Sequence, residues 1–257
     1  MKLLKLSAAV LAISAVCAPA HAAITIGTWG NWQNAAPASA NCLNYSPSTA
    51  TNPGDSDSVN WGVSASATSG CAPQSGYDFT GITNTNYVPS GVLDIGDFVH
   101  RNQPVFGPSI TGVELNMQIR LDDGFGPQTV ATVINFTHDE TDNGANPCPY
   151  TPNNANGCSD RVSFPVSFTT PVILNGTSYA LQVLGFSIDG GNTFINDFVT
   201  LEGANNKADI YARLVVAAGD CPPDCGTVPL PAPLGLLALG GGLVALYRKN
   251  GVKLQGK

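Results

Sequence analysis

Apolar and polar side chains alternate without exception along one run of the chain, Val113-Glu114-Leu115-Asn116-Met117-Gln118-Ile119-Arg120. Successive side chains of a β-strand point to opposite faces of its sheet, so this alternation predicts a strand with one buried face and one solvated face. The apolar face of such a strand needs a second layer to cover it. The run therefore predicts a layered antiparallel β-structure.

Other segments of the chain share this strand character. They are rich in β-branched and aromatic residues, and turn-forming clusters such as Asn175-Gly176 separate them. An Asn-Gly pair between two apolar runs favours a type I′ hairpin turn. Since residues 23–227 show no helical period, we predict an all-β fold, an antiparallel β-sandwich of jelly-roll type. The predicted strands are 24–28, 58–63, 92–98, 110–119, 130–136, 161–168, 178–186, 194–201 and 208–216.

The acidic residues of the chain are concentrated in its middle. Residues 23–227 hold all 18 acidic residues but only five of the 11 basic ones, a net charge of −13 against −7 for the whole chain. A domain of this charge repels nucleic acid and anionic lipid headgroups, so we expect neither as a partner. The length of the segment suits one core rather than two domains.

The N-terminus has the pattern of a secretory signal peptide, residues 1–22. Two lysines precede an apolar run, 11–16, and a small-x-small cleavage site follows at Ala20 and Ala22. Cleavage after Ala22 would leave Ala23 as the first residue of the exported protein. The sequence therefore predicts export from the cytoplasm.

The C-terminus contains a short apolar segment that ends in basic residues. Fourteen uncharged residues, 234–247, precede Arg248 and Lys249. At 1.5 Å per residue they span about 21 Å, less than the ~30 Å hydrocarbon core of a bilayer. The preceding Val228-Pro229-Leu230-Pro231-Ala232 lengthens the run but places prolines in its first turns, where they disfavour a stable helix. The segment suits a temporary stop in the membrane, with an ordinary tail anchor as the alternative.

This C-terminal pattern resembles the PEP-CTERM sorting signal of Gram-negative bacteria, in the variant with the Val-Pro-Leu-Pro-Ala motif at 228–232. The resemblance implies that an exosortase, a membrane transpeptidase-like enzyme, processes residues 228–250 at the proline-containing motif. It also implies transient insertion of the C-terminal helix into the inner membrane. The mature protein would then reside in the cell envelope, on the outer surface or in the extracellular matrix of a biofilm.

Six cysteines remain once the signal peptide is removed, and an even number fits disulfide formation in an oxidising compartment. Spacing alone leaves several pairings open. Proximity favours three pairs, each enclosing a loop poor in apolar residues: Cys42–Cys71, Cys148–Cys158 and Cys221–Cys225. A zinc site at the last pair is the alternative, although no second cysteine pair or histidine cluster matches it.

A second resemblance covers residues 59–216. The segments 61–62, 97–102 and 136–143 are similar to the THxN family of PEP-CTERM proteins and to the related choice-of-anchor K domain. The family motif has Thr at the position of Val99. The matching motif residues are His100, Asn102, Glu140, Thr141 and Asn143. The resemblance implies a recurrent surface domain without an established activity.

Histidines and acidic turns are the candidate sites for chemistry. His100 and His138 with two neighbouring acids could bind a metal or transfer protons. We instead expect His100 and Asn102 to hydrogen-bond the backbone and fix a turn. Calcium is the stronger ionic hypothesis, because acidic residues occur in several turns, although solvated turns are the more common outcome. These turns hold Asp122-Asp123, Asp139, Glu140 and Asp142 with Asn143, and Asp189 with Asn192.

Three tryptophans suggest carbohydrate binding as an alternative. Trp29, Trp32 and Trp61 lie near polar residues, and exposed indole rings form platforms that stack on sugars. Against this, Trp61 lies in a predicted strand and could simply fill the core. A hydrolase with paired carboxylates is a weaker alternative, since no nucleophile motif or acid pair is evident.

We therefore expect a signal peptide at 1–22, a β-sandwich domain at 23–220, a linker at 221–227 and a sorting signal at 228–250, with a basic tail to 257. The expected function is that of a structural or adhesive protein of the envelope, not of an enzyme. We expect no required cofactor, with calcium as a weaker hypothesis. An exosortase-like enzyme is the expected partner, and an exopolysaccharide is the alternative one.

Overall fold

A computed structural model describes residues 24–217 of the 257-residue chain, apart from 48, 65–70, 72–73, 84 and 89–90. The predicted signal peptide, the Cys221–Cys225 pair and the predicted sorting signal lie outside the described residues. Within the described part, no helix has the length and apolar character needed to cross a membrane.

The described residues form sixteen β-strands and no helix. In chain order the strands are β1 (Ile24–Ala36), β2 (Asn44–Tyr45), β3 (Ser56–Trp61), β4 (Val63–Ser64), β5 (Ser75–Thr80), β6 (Thr85–Tyr87), β7 (Leu93–Asn102), β8 (Val105–Phe106), β9 (Gly112–Asp122), β10 (Gln128–Asp139), β11 (Asp160–Ser163), β12 (Ser167–Phe168), β13 (Val172–Leu174), β14 (Thr177–Ser187), β15 (Asp197–Thr200) and β16 (Ala204–Val216). The predicted all-β character is confirmed.

Two large sheets contain nearly all of these strands. The six-stranded sheet has the order β15-β11-β10-β9-β1-β6. The eight-stranded sheet has the order β12-β14-β16-β7-β5-β3-β2, with β13 paired to β14, and β4 and β8 form a separate ribbon. Every pairing is antiparallel. Two curled sheets of this kind are consistent with a β-sandwich.

The alternation along β9 has the predicted consequence. Its apolar side chains are at most 3% exposed, whereas Glu114, Asn116, Gln118 and Arg120 on the other face are partly solvated. The neighbouring β10 alternates in the same way, since its inward residues are buried and its outward residues are exposed. Burial of these faces supplies the main free energy of folding, about 25 cal/mol for each Å² of apolar surface removed from water.

Aromatic rings from both sheets meet in the core. Trp32 of β1 and Phe136 of β10 belong to the six-stranded sheet, and Tyr77 of β5 and Phe98 of β7 belong to the eight-stranded sheet. The ring centroids of Phe98 and Phe136 lie 5.5 Å apart, and those of Trp32 and Tyr77 also lie 5.5 Å apart. The two sheets therefore share one core.

Buried hydrogen bonds also connect the two sheets. The Thr28 hydroxyl of β1 donates to the carbonyl oxygen of Ile95 in β7 over 2.6 Å. The backbone N–H of Trp32 donates to Asp57 Oδ2 of β3 over 2.7 Å. Burial raises the pKa of Asp57, while the Trp32 N–H opposes this by stabilising the carboxylate. β1 is thus anchored to the opposite sheet along a length well beyond the predicted 24–28.

Two of the three expected disulfide bonds lie within the described residues, and both are present. Cys42 is bonded to Cys71 across 29 residues, and Cys148 is bonded to Cys158 across 10 residues. The Cys148–Cys158 bond closes a short loop, whereas the segment between Cys42 and Cys71 includes β3, whose Val59 and Trp61 are fully buried in the core. The two bonds fit an oxidising, extracytoplasmic environment.

Local signals in the sequence predicted some connections and missed others. Asn175 and Gly176 have φ values of 49° and 76°, and they join Leu174 to its partner Thr177, as a type I′ hairpin requires. The single strand predicted over 161–168 is instead two strands, β11 and β12. Pro165 lies between them, and a proline has no N–H to donate to a neighbouring strand.

Two isoleucines provide a test of the two-faced sheet. Ile134 of β10 is fully buried, whereas Ile173 of β13 is 62% exposed. We expect Ile134→Ala to lower the free energy of unfolding by about 2–5 kcal/mol, because it leaves a cavity in the core. Ile173→Ala removes the same atoms from a solvated site and should change it by only about 0.5 kcal/mol. Urea unfolding measures both, and equal losses would contradict the assignment of Ile134 to the core and of Ile173 to the solvated surface.

Candidate functional site

A group of polar side chains lies inside the core, among the aromatic rings. We call it the buried polar cluster. Its histidines come from β7 and β10, its aspartate from β11, and its glutamate from the turn between β15 and β16. All of these four side chains are at most 3% exposed. The cluster consists of His100, His138, Asp160 and Glu202, surrounded by Tyr77, Asn102, Glu140, Thr141, Asn143 and Thr200.

The alternation of each strand places these polar groups inside. On β7, residues 98, 100 and 102 are buried while residues 97, 99 and 101 are more exposed, so His100 and Asn102 continue the inward face that Phe98 begins. On β10, His138 follows Ile134 and Phe136 on the inward face. Each polar side chain therefore occupies a position that the strand period assigns to the core.

One ring nitrogen of each histidine is held by a hydroxyl group from the opposite sheet. His100 Nδ1 is hydrogen-bonded to the Thr200 hydroxyl over 2.9 Å, and His138 Nδ1 to the Tyr77 hydroxyl over 2.6 Å. His138 Nε2 lies 3.1 Å from a carboxylate oxygen of Glu140. The two imidazole rings lie edge to face with their centroids 5.3 Å apart. These contacts fix the orientation of both rings.

The carboxylates of the cluster are only partly satisfied by hydrogen bonds. Asp160 Oδ1 accepts the Thr141 N–H at 2.8 Å and the Thr141 hydroxyl at 3.1 Å. Asp160 Oδ2, both carboxylate oxygens of Glu202, and His100 Nε2 are buried with no hydrogen-bond partner. The side-chain amide of Asn143 and the backbone of Gly203 are near enough to Glu202 to lower its pKa, but neither forms a hydrogen bond of normal geometry with its carboxylate. Unpartnered buried polar atoms are rare in folded proteins because each costs desolvation free energy.

Burial shifts the pKa values of Asp160, Glu202 and His100 in the direction that favours the neutral form of each group. It raises the pKa of Asp160 to about 7, and the nearby Glu140 carboxylate raises it too. Burial likewise raises the pKa of Glu202 to about 7, again with a contribution from Glu140. It lowers the pKa of His100 well below the usual value, so the imidazole is neutral near pH 7 and has a free lone pair.

The positions of the ligand-type atoms define what the cluster can do chemically. One nitrogen of His100, one nitrogen of His138 and one oxygen of Asp160 lie within 4.8 Å of one another. Oxygens of Glu140, Asp160 and Glu202 form a second such group that shares Asp160. Two imidazoles and several carboxylates are donors that divalent metal ions bind. Since Asp160 and Glu202 are fully buried, they do not form the open pair of carboxylates that a glycosidase presents to a polymer.

The motif residues singled out in the sequence all belong to this region. His100 and Asn102 were expected to fix a turn, but both lie within β7 and contact the opposite sheet. The Asn102 amide donates to the Thr200 carbonyl oxygen over 3.2 Å, and the Thr141 hydroxyl contacts Asp160. The expectation of a backbone hydrogen bond is met by Asn102, the last residue of β7, whereas His100 lies within the strand and bonds the Thr200 hydroxyl, so neither side chain fixes a turn.

Sequence reasoning missed several members of the cluster. Asp160 and Glu202 follow no recognisable ligand spacing, and Tyr77 lies on β5, which was not predicted as a strand. The segment of β5 contains Gly76 and Asp78, residue types that are depleted in strands. For His138, the apolar alternation over Ile134 and Phe136 was a usable signal, because it extends to the histidine.

The tryptophans do not form a binding platform. Trp61 is fully buried and stacks on His100, with ring centroids 6.0 Å apart, and Trp32 is 3% exposed. Trp29 is half-buried. The alternative of a tryptophan platform therefore finds no support in Trp32 and Trp61, and Trp61 fills the core, as its place in a predicted strand suggested.

Several acidic residues of the candidate calcium turns accept backbone N–H groups with their carboxylates. Asp122 accepts the Gly124 N–H, and Asp142 accepts the Gly144 N–H. Asp123 accepts N–H groups from Phe125 and Asn175. These bonds stabilise tight turns, as Asp side chains commonly do. They provide a local reason for acidic residues at these positions.

No family model matches the chain, and no curated protein matches it. The function of the chain is therefore inferred from its fold, its side-chain contacts and its sequence signals.

Asp189 provides a test of these turns through its pKa. Its carboxylate accepts the Thr193 N–H, the Thr193 hydroxyl and the Ser187 hydroxyl, which lower its pKa from 3.8 to about 2. Because the folded pKa is the lower one, ionised Asp189 stabilises the fold above pH 3.8, and this stability is lost as the pH falls toward 2. NMR titration of the side-chain carboxyl should show the low value. In Thr193→Val, which keeps the shape but loses the hydroxyl, the pKa should rise toward 3.8. An unchanged pKa in that variant would contradict the assignment.

Proposed function

We propose that this protein is an exported structural or adhesive component of the cell envelope or extracellular matrix, built as a β-sandwich of jelly-roll type. The observation that carries the proposal is the pair of disulfide bonds, Cys42–Cys71 and Cys148–Cys158. Both stabilise loops of a domain that already has a large core, so they suit persistence outside the cell. The net charge of −13 over residues 23–227 also keeps such a domain soluble and away from anionic surfaces.

The C-terminal segment is the second basis of the proposal. We assign 228–250 as a sorting signal of PEP-CTERM type, with an exosortase-like enzyme as the partner, and the domain as a member of the THxN class. The motif residues of that class support the assignment, because the pair His100 and Asn102 and the separate group Glu140, Thr141 and Asn143 all contact residues in or around the buried polar cluster.

A structural role is favoured over an enzymatic one by the placement of the ionisable groups. His100, Asp160 and Glu202 are 0% exposed and lie among aromatic rings, so a dissolved polymer has no direct path to them. Acid–base catalysis requires the catalytic group to come within hydrogen-bond reach of its substrate. The buried polar cluster therefore fits a role in holding the fold together.

Sorting and anchoring predict different products for a proline variant. In Pro229→Ala/Pro231→Ala, helix formation becomes easier and the segment stays apolar, so a plain tail anchor would hold as well or better. A processing site would fail, and uncut precursor should accumulate in the inner membrane. Pro233→Ala lies just outside the motif and is the matched control, which should still be cut. Intact mass of protein extracted from the cell surface distinguishes these outcomes.

Mature wild-type protein should lack residues 234–257 in cells that have a working exosortase. A surface-extracted mass that includes those residues would overturn the sorting assignment. Cleavage of both variants to the same extent would show that the motif at 228–232 is not the recognised sequence.

A second candidate function, binding of an exopolysaccharide, is favoured by one exposed aromatic residue. Phe125, between β9 and β10, is 88% exposed and borders a surface pocket with Gln128, Ile173 and Asn175. An accessible ring beside amide groups is the arrangement that stacks on a sugar and hydrogen-bonds its hydroxyls. This site replaces the tryptophan platform as the location for carbohydrate binding.

A glycan array tests this second function. If the pocket binds sugar, the wild-type signal should fall at least about tenfold in Phe125→Ala, because about 1.4 kcal/mol of stacking free energy suffices for that factor. Phe168→Ala is the control, since Phe168 is also exposed, at 56%, but belongs to β12 and not to the pocket. No binding by the wild-type protein, or equal losses in both variants, would leave the structural role as the preferred function.

A further inference from the structure

We propose that the buried polar cluster is a structural binding site for one divalent transition-metal ion of the zinc type, with His100, His138 and Asp160 as ligands. Glu202 would be the fourth ligand, because one of its oxygens lies within 4.8 Å of an oxygen of Asp160 and both of its oxygens lack a hydrogen-bond partner. The proposal goes beyond the envelope role and is independent of it, because it concerns how the domain is held together wherever the protein resides.

The distances between the donor atoms fit a common ion. The ligand atoms of His100, His138 and Asp160 lie within 4.8 Å of one another, so each is at most about 2.8 Å from their common centre. Zinc–nitrogen and zinc–oxygen bonds are about 2.0–2.2 Å long. Inward movements of well under 1 Å by each side chain would therefore complete the coordination.

The outer hydrogen bonds of both histidines have the arrangement that metal-ligating histidines require. His100 Nδ1 is held by Thr200 and His138 Nδ1 by Tyr77, so the Nε2 atom of each ring faces the cluster. Nε2 of His100 has no hydrogen-bond partner, and Nε2 of His138 lies 3.1 Å from Glu140, a contact that the ion would replace. Metal-bound histidines almost always use their second nitrogen in this way, because the outer bond fixes the tautomer and the ring orientation. In the metal-bound form, Nδ1 of His138 is protonated and its N–H donates a hydrogen bond to the Tyr77 oxygen.

A second observation, independent of the clustering, is the set of unpartnered atoms. His100 Nε2, Asp160 Oδ2 and both oxygens of Glu202 are buried without a hydrogen-bond partner, and their residues are 0% exposed. A protein core tolerates few such atoms. A single cation among them would satisfy the lone pairs that the protein itself leaves unpaired.

The donor types select the class of metal ion. Calcium and magnesium prefer oxygen ligands only, whereas two imidazoles with carboxylates suit zinc and its neighbours in the first transition series. Four protein ligands in a closed site are typical of structural rather than catalytic zinc. Such an ion would link β7 of the eight-stranded sheet to β10 and β11 of the six-stranded sheet.

A second group of carboxylates, on the surface, serves as a control for non-specific cation binding by acidic residues. Asp94, Asp97 and Asp209 also bring three carboxylate oxygens within 4.8 Å of one another, but these residues are partly or fully exposed and include no histidine. A loosely bound surface cation would occupy that group as readily as the buried one. The two groups can therefore be compared within the same molecule.

Metal binding is tested on the full-length, untagged chain after treatment with a chelator. Titration with Zn²⁺, monitored by a competing chromophoric chelator, should give one equivalent bound per chain and a higher melting temperature, because the ion binds only the folded state. Ca²⁺ added alone should produce neither effect at the same concentration. X-ray absorption of the zinc-loaded protein should show nitrogen and oxygen neighbours at about 2.0–2.1 Å with the outer-shell signal of imidazole.

Three variants locate the site. Asp160→Asn and Glu202→Gln keep the side-chain shape but remove the charge, and each should weaken zinc binding at least about 100-fold. Asp209→Asn should leave the affinity unchanged. Circular dichroism of the metal-free variants checks that they fold. If a variant does not fold, the X-ray absorption spectrum of the zinc-loaded wild-type protein still tests the site, because it requires no mutation.

The proposal is overturned if the wild-type chain binds no zinc, or if the absorption spectrum lacks the imidazole signal. It is also overturned if folded Asp160→Asn and Glu202→Gln retain wild-type affinity, or if Asp209→Asn loses as much affinity as they do. Binding of Ca²⁺ in place of Zn²⁺ would overturn the assigned metal class. The sorting function is tested by mass, so either proposal can fail without the other.

Discussion

Buried hydrogen bonds between the two sheets constrain the rest of the structure. Thr28 bonds to Ile95, the Trp32 N–H to Asp57, and His138 to Tyr77, each across the core. Inside a core, an unmade polar contact costs more free energy than a made one contributes, so these bonds disfavour any other register of the strands. Apolar burial holds the sheets together, and the polar contacts specify how the two faces meet.

The buried polar cluster adds further cross-sheet hydrogen bonds in one region of the core, and its ionisable groups distinguish that region from the apolar remainder. Its aromatic neighbours, Trp61 and Tyr77, exclude water and lower the local dielectric, so uncompensated carboxylates there are costly. The pKa values of about 7 for Asp160 and Glu202 express that cost. A domain that relied on apolar packing alone would have no need for such residues. A bound cation would compensate the buried carboxylates and would also cross-link the two sheets.

The sequence predicted β9 from the difference between its two faces and missed β5, where no such difference is visible. The alternation along β9 was visible because solvent contacts one side of that strand. In β5, burial extends over Ser75, Gly76 and Tyr77, and polar residues interrupt the apolar pattern, so no period of two remains. Two disulfide pairings were predictable from proximity because each bond joins one cysteine to the next cysteine along the chain. His100 and Asn102 were recognised as motif residues, but the continuation of β7 to Asn102, which places both side chains inside the core, was not predicted.

The sequence by itself determined the all-β class, the inward face of β9, the hairpin at Asn175-Gly176 and the acidic character of the domain. These follow from local rules: the period of the strand, the φ values that a turn requires, and charge counting. Only the tertiary structure decided that His100, His138, Asp160 and Glu202 meet, and that two of the tryptophans lie in the core. These residues come from distant positions along the chain, and no local pattern encodes which strands become neighbours across a core; that choice depends on how the two sheets pack as a whole.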